Sequence, residues 1–299
     1  MTVRSTDPAD RDVMAATVIH GWDDVVTFAD REDAGSVIEG LTITGGSTGI
    51  LCYGASPTVR RCAITANGQT GMQLMDQSNP TLIACEVTAN EGPGISMLAA
   101  KAGQRARYNL ATIRNCIIAG NRQDGIHGGK PTIINSTIIE NLGAGIDSAG
   151  GIVTSSIVFF NDGNGDNTQI RRATLHVAYS DVQGGWPGDG NLDADPQFIE
   201  RGRWIDAPSR GRGGLATAIW AAGDYHLRSQ GWRWDRRAGF WTSDSSTSPC
   251  IDTGDPDSPL LEEPMASPQL VEDETIVNER INMGAYGGTV EASLAPTAN

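Results

Sequence analysis

The sequence predicts an all-β chain: a right-handed parallel β-helix, in which coils of about 20 to 23 residues stack into a solenoid, with an irregular capping region in the C-terminal third. Two observations predict it. A nine-residue pattern recurs five times in register, and a Gly follows each copy after four further residues. The composition agrees, since 37 Gly with 39% hydrophobic and 6% aromatic residues suits many short strands and turns better than a helical bundle.

The repeat aligns Val59–Asn67 with Leu82–Asn90, Ile113–Asn121, Ile133–Asn141 and Val153–Asn161. Each copy carries a small residue at its fourth place (Cys62, Cys85, Cys116, Ser136, Ser156) and a β-branched residue two later (Ile64, Val87, Ile118, Ile138, Val158). An Asn closes each copy, and Gly71, Gly94, Gly125, Gly145 and Gly165 follow; a sixth copy fits upstream, with Gly45 at the Asn position and Gly49 four later. Self-similarity at such a period marks a solenoid.

Each feature has a physical reading. The small residue and the β-branched residue two later are expected on one face of one strand, pointing inward. Neighbouring coils then stack them about 4.8 Å apart, so Cys62, Cys85 and Cys116 form a buried column of reduced thiols. The Asn is expected at a turn, in a left-handed conformation and bonded to a neighbouring coil. A further strand begins after each Gly, at Ile50, Met72, Ile95, Ile126 and Ile146, and Pro57, Pro80 and Pro131 open the next coils. The Asn spacings are 22, 23, 31, 20 and 20 residues, so an insertion of about 97–109 protrudes as a loop.

The coils are assigned to residues 1–185 and the capping region to 186–299, packed on the helix. Six of seven Trp lie between Trp186 and Trp241, and an open solenoid end needs an apolar cover; a sugar-binding aromatic platform is the alternative. The net charge of −14 and only two lysines, Lys101 and Lys130, argue against nucleic acid as a partner. No apolar run is long enough for membrane insertion. The five cysteines make no disulfide framework by count.

The segments Tyr179–Gly185, Gly190–Phe198, Asp224–Leu227, Ser248–Pro256 and Ile281–Gly288, together with the coils, resemble right-handed β-helix repeat proteins of the pectate-lyase-like superfamily, of the kind abundant in planctomycetes. The resemblance implies the fold and an exported, secreted or cell-surface parent, whose leader and first coils lie outside a chain starting Met1-Thr2-Val3-Arg4. It also implies acidic polysaccharides as substrate. Lyases of the superfamily use calcium and an Arg or Lys base, and hydrolases use paired Asp carboxylates. His127-Gly128 resembles the His-Gly of polygalacturonases, but their Asp pairs and Arg-x-Lys do not accompany it.

Stacking supplies the candidate site. Leu51, Gln73, Ser96, His127 and Asp147 alternate with the inward residues and form an outward column, which puts His127 beside Asp147 on adjoining coils. Asp124 completes the candidate catalytic set, and Lys101, Arg105, Arg107, Tyr108 and Gln73 are candidate ligand-binding residues; a solvated polar face is the bland alternative. Calcium is the candidate cofactor, held by Asp162, Asn164 and Asp166, whose oxygens fall at alternate positions. The closing Glu of such a loop is missing, and a polar Gly turn is the alternative. Asp189, Asn191, Asp193 and Asp195 repeat that spacing in what reads as a structural turn. Function is thus expected to be binding or cleavage of an acidic polysaccharide along a lateral groove, by a monomer or one domain of a larger protein. The alternatives are a non-catalytic structural or adhesive module and a uronate epimerase.

Overall fold

The computed structural model describes residues 1–98, 108–163, 165–172, 174–205, 218–264 and 278–296. Three parallel sheets run along a solenoid, and every coil but the last contributes a strand to each in turn. The first sheet stacks Thr2–Arg4, Val37–Glu39, Thr58–Arg60, Thr81–Ile83, Thr112–Arg114, Thr132–Ile134, Gly151–Thr154 and Leu175–Ala178. The second stacks Val18–His20, Thr42–Thr44, Ala63–Thr65, Glu86–Thr88, Ile117–Ala119, Thr137–Ile139, Ile157–Phe159 and Asp181–Val182. The third stacks Asp24–Phe28, Thr48–Tyr53, Thr70–Met75, Ile95–Met97, Ile126–Gly128, Ile146–Asp147 and Ile170–Arg171. One helix, α1 (Arg11–Ala16), interrupts the first coil, with the Asp10 carboxylate capping the amides of Asp12 and Val13.

The aligned residues of the repeat are the paired residues of the ladders. Val59, Leu82, Ile113, Ile133 and Val153 stack in the first sheet, and Ile64, Val87, Ile118, Ile138 and Val158 in the second, all fully buried. Cys62, Cys85 and Cys116 form the inward column, and all five cysteines are free and buried.

Two expectations about the repeat need correction. The nine-residue window is two strands, because the residue before each Cys or Ser turns the chain through a left-handed corner: Arg61, Ala84, Asn115, Asn135 and Ser155 have φ of 43° to 53°. The left-handed residue at the next corner is the one before the Asn, such as Ala66, Ala89 and Glu140. The Asn itself bonds to the neighbouring coil, as expected. The Asn121 Oδ1 accepts from the amide N and Nδ2 of Asn90, at 3.1 and 2.9 Å, and the same pair of bonds links Asn67–Asn90, Asn121–Asn141 and Asn141–Asn161. The ladder ends on Gln169, whose Oε1 accepts from Asn161.

The repeated Gly exists because of this ladder. A Cβ on Gly125 would lie 2.7 Å from the Gly145 carbonyl and 2.8 Å from the Asn141 Nδ2, where no side chain fits. After Asn161 the pattern shifts. Ile146 pairs with Ile170, so the place of Gly145 is taken by Gln169 and not by Gly165, which lies in an inserted turn of four extra residues.

The C-terminal residues pack along the flank of the solenoid. Ile117, Ile139, Ile157 and Phe159, facing outward from the second sheet, are covered by Phe198, Tyr225, Leu227, Cys250, Ile251 and Met283. Backbone groups of this region meet the corner column: the Asn115 Nδ2 donates to the carbonyls of Ala285 and Gly287, and the Asn135 Nδ2 to that of Asn282. Of the tryptophans expected at the solenoid end, Trp186 packs on the solenoid core and Trp220 on the flank cluster. Ladder bonding continues past Gly185, since Leu192 bridges to Asp181 and the Asn191 Oδ1 accepts from the Ser180 amide. The run Asp189–Asp195 is therefore the solenoid's terminal turn.

Candidate functional site

Inward packing of Ile50, Met72, Ile95, Ile126, Ile146 and Ile170 turns the alternate residues of the third sheet outward. Register pairs Leu51 with Gln73, Gln73 with Ser96, Ser96 with His127, His127 with Asp147 and Asp147 with Arg171. The expected column exists and runs one coil further, to Arg171.

Asp124 joins it from the turn before the strand. Its Oδ1 accepts from the Ala144 amide of the next coil (2.8 Å), and its Oδ2 lies 2.9 Å from the His127 Nδ1. Gly143 makes room for it, since a Cβ there would lie 2.4 Å from the Asp124 Oδ1. A carboxylate only accepts, so the His127 Nδ1 donates to Asp124, which orients the ring and turns Nε2 away from the carboxylate. The His127 side chain is 42% exposed, whereas those of Asp124 and Asp147 are 11% and 6% exposed.

Two arginines complete the cluster. The Arg171 Nη1 lies 3.7 Å from the Asp124 Oδ1 and 3.6 Å from the Asp147 Oδ2, and the Arg172 Nε lies 2.8 Å from the Asp147 Oδ1. The last contact is an ion pair without hydrogen-bond alignment, for that buried oxygen has no hydrogen-bond partner. Arg172 is the more exposed of the two, and both pair with carboxylates of the cluster that holds His127.

The other candidates are placed as follows. Gln73 is two coils from His127, roughly 10 Å at the ladder spacing, with its amide 3.8 Å from the Met75 sulfur. The Tyr108 ring lies under the Lys130 Nζ at 4.4 Å. Lys101, Arg105 and Arg107 lie outside the described residues, as does Asn164. Asp162 and Asp166 sit in the inserted turn, which abuts the cluster where the Arg171 Nη2 donates to the Gly163 carbonyl. Bonds from the Thr168 hydroxyl and amide hold the Asp166 carboxyl below its usual range, so one of its oxygens is already engaged.

Ligand atoms of Asp124, His127 and Asp147 lie within 4.8 Å of one another, a spacing suited to a metal ion. The charges do not fit one, because Arg171 and Arg172 already neutralise both carboxylates and a cation would have to displace them.

Arg171 and Arg172 were missed in the sequence. Their signal was Ile170, which continues the inward column but stands nine residues after Asn161 instead of five.

The family described as a right handed beta helix region matches residues 17–128, from the first second-sheet strand through His127. No curated protein matches the chain. Among solved structures, the crystal structure of pectate lyase Pel9A is similar with a TM-score of 0.46 at 15% identity, over 87% of this chain and 76% of that one. The parallel ladders make this a parallel β-helix, the architecture expected from the pectate-lyase-like resemblance, and the family match over its first coils agrees with that fold. Among the described residues no helix is long and apolar enough to cross a membrane.

Proposed function

We propose that the third-sheet column binds an acidic polysaccharide and that His127 acts on it as a base. The Asp124–His127 pair, whose Nε2 has no hydrogen-bond partner among the described residues, together with two half-exposed arginines on the same carboxylate cluster, carries this reading. In a uronate chain the proton on C5 is acidified by the neighbouring carboxylate, and a guanidinium contact increases that effect. His127 Nε2 would take the C5 proton, the C4–O bond would break, and a C4=C5 double bond would form. The departing oxygen would take a proton from solvent or from the imidazolium. Hydrolysis fits less well, since Asp124 is engaged by His127 and Ala144 and Asp147 by both arginines, so neither carboxylate faces a glycosidic oxygen. A polymer of this kind is met outside the cell, which is why the reading includes export.

The test is incubation with polygalacturonate, alginate and chondroitin sulfate, with and without calcium, following absorbance near 232 nm. Turnover is expected on one of them. His127→Ala should lower it about 10²- to 10⁴-fold, the usual worth of a general base, and leave binding nearly unchanged. Arg171→Ala should weaken binding first. Binding without turnover on all three would leave a non-catalytic surface module; neither binding nor turnover would overturn the reading.

A further inference from the structure

A second cleft lies far from the third sheet, where α1 and the C-terminal segment overhang the corner between the first and second sheets. It encloses about 280 Å³, at the small end of ligand pockets (~300–1,000 Å³). Arg11 and Met14 of α1 form one wall, and Tyr286 and Glu291 form the other. Glu86 and Ile117, on outward positions of the second sheet, form the floor.

Four of its five charged lining groups are already paired, with one another or with a residue behind the wall. Arg11 is bonded to Glu86, and Arg61, at the edge, to Glu39 at 2.9 Å. Glu291 holds the Nε2 of the fully buried His226 at 3.0 Å, while Asp224 holds its Nδ1 at 2.6 Å. Tyr286 stacks on that imidazole at 3.7 Å, which fixes the ring at the cleft wall. The lining therefore alternates in sign. Glu86, Glu262 and Glu291 oppose an anion, and the pairing of Glu86 with Arg11 and of Glu291 with His226 uses up most of the attraction they would offer a cation. Paired guanidinium and carboxylate groups nonetheless keep spare N–H donors and lone pairs. A neutral ligand carrying adjacent hydroxyls can use both at once, and its C–H faces suit Tyr286, Met14, Ile117 and Val290.

We infer that this cleft binds a neutral sugar ring, as one unit of an oligosaccharide. The site is independent of the column around His127 and differs in preference, since that column places two partly exposed arginines where an anionic chain would lie.

Isothermal titration of the whole protein with xylohexaose, cellohexaose and mannohexaose tests the inference, with trigalacturonate as the acidic comparison. At least one neutral hexamer should bind. Val290→Trp places bulk at the exposed mouth and should weaken that binding about tenfold or more, equivalent to 1.4 kcal/mol, with an unchanged melting temperature. Ala9→Trp, on the opposite wall, serves should the first variant not fold. His127→Ala should leave the binding intact. Failure of all three neutral hexamers to bind overturns the inference. Binding that survives the blocking variants, or is lost with His127→Ala, also overturns it.

Discussion

Asn141 shows how one residue type can carry a fold. Its Oδ1 takes both N–H groups of Asn121, and its own Nδ2 donates to the Asn161 Oδ1 and to the Ile118 carbonyl, all fully buried. Asn141→Ala would strand two donors on Asn121, at about 1–3 kcal/mol each, and should lower the urea midpoint accordingly. Gly125→Ala should do comparable harm by overpacking, about 1–3 kcal/mol, although the change looks mild. The thiols are the complementary case. Burial pushes Cys52 up to about 12 and raises Cys62 and Cys85 well above the usual thiol range. Native protein should therefore react slowly with a thiol reagent and all five cysteines rapidly in denaturant; fast labelling of Cys62, Cys85 and Cys116 in the folded state would contradict their inward column. The Cys and Asn columns were legible in the sequence because a solenoid converts register in space into spacing along the chain. The bonding of the Asn between coils was legible too; its backbone conformation was not, since a ladder between coils and a left-handed turn demand the same residue type.

At the scale of elements, legibility depended on constant coil length. His127 and Asp147 are 20 residues apart, and the column followed from counting. Asp147 and Arg171 are 24 apart, and the inserted turn at 162–168 hid the arginine half of the site. The C-terminal segments have no repeat, so their buried acids could not be placed beforehand. Glu263 is 4% exposed, and burial lifts its carboxyl to about 7 even though Gly288, Asn282 and Asn278 donate to it. Burial likewise lifts Asp181 to about 6. In both, the folded form binds the proton more tightly than the unfolded chain, whose carboxyls titrate near 4. Stability is then greatest below that value and falls as pH rises through 4 to 7. For Glu263 the loss amounts to roughly 2–4 kcal/mol. Urea melts between pH 4.5 and 7.5 should show the decline, and Glu263→Gln should flatten its upper part. An unchanged slope in that variant would mean that Glu263 is ionised throughout.

Taken whole, the molecule is a solenoid with one flank too apolar to face water. Outward residues of the second sheet alternate with the core residues, and in early coils they are polar or small, as at Thr65, Glu86 and Thr88. From Ile117 onward they turn apolar, through Ile139, Ile157 and Phe159, where the C-terminal region lies across them. Covering four such side chains is worth on the order of 6–12 kcal/mol as an upper bound, comparable with the whole stability of a typical domain at about 5–15 kcal/mol. The same region closes hydrogen bonds on Asn115, Asn135 and Thr137, so its loss would also strand buried polar groups. A chain ending after Asp195 keeps the terminal turn made by Asn191 and Leu192 and removes only the flank cover. That chain should bind a hydrophobic dye, self-associate, and melt well below the full-length protein, and substituting Ile117, Ile139 and Phe159 with Thr in the shortened chain should restore solubility. A shortened chain that stays monomeric, binds no dye and melts where the full chain does would show that the solenoid supports itself and that the flank contact serves another purpose.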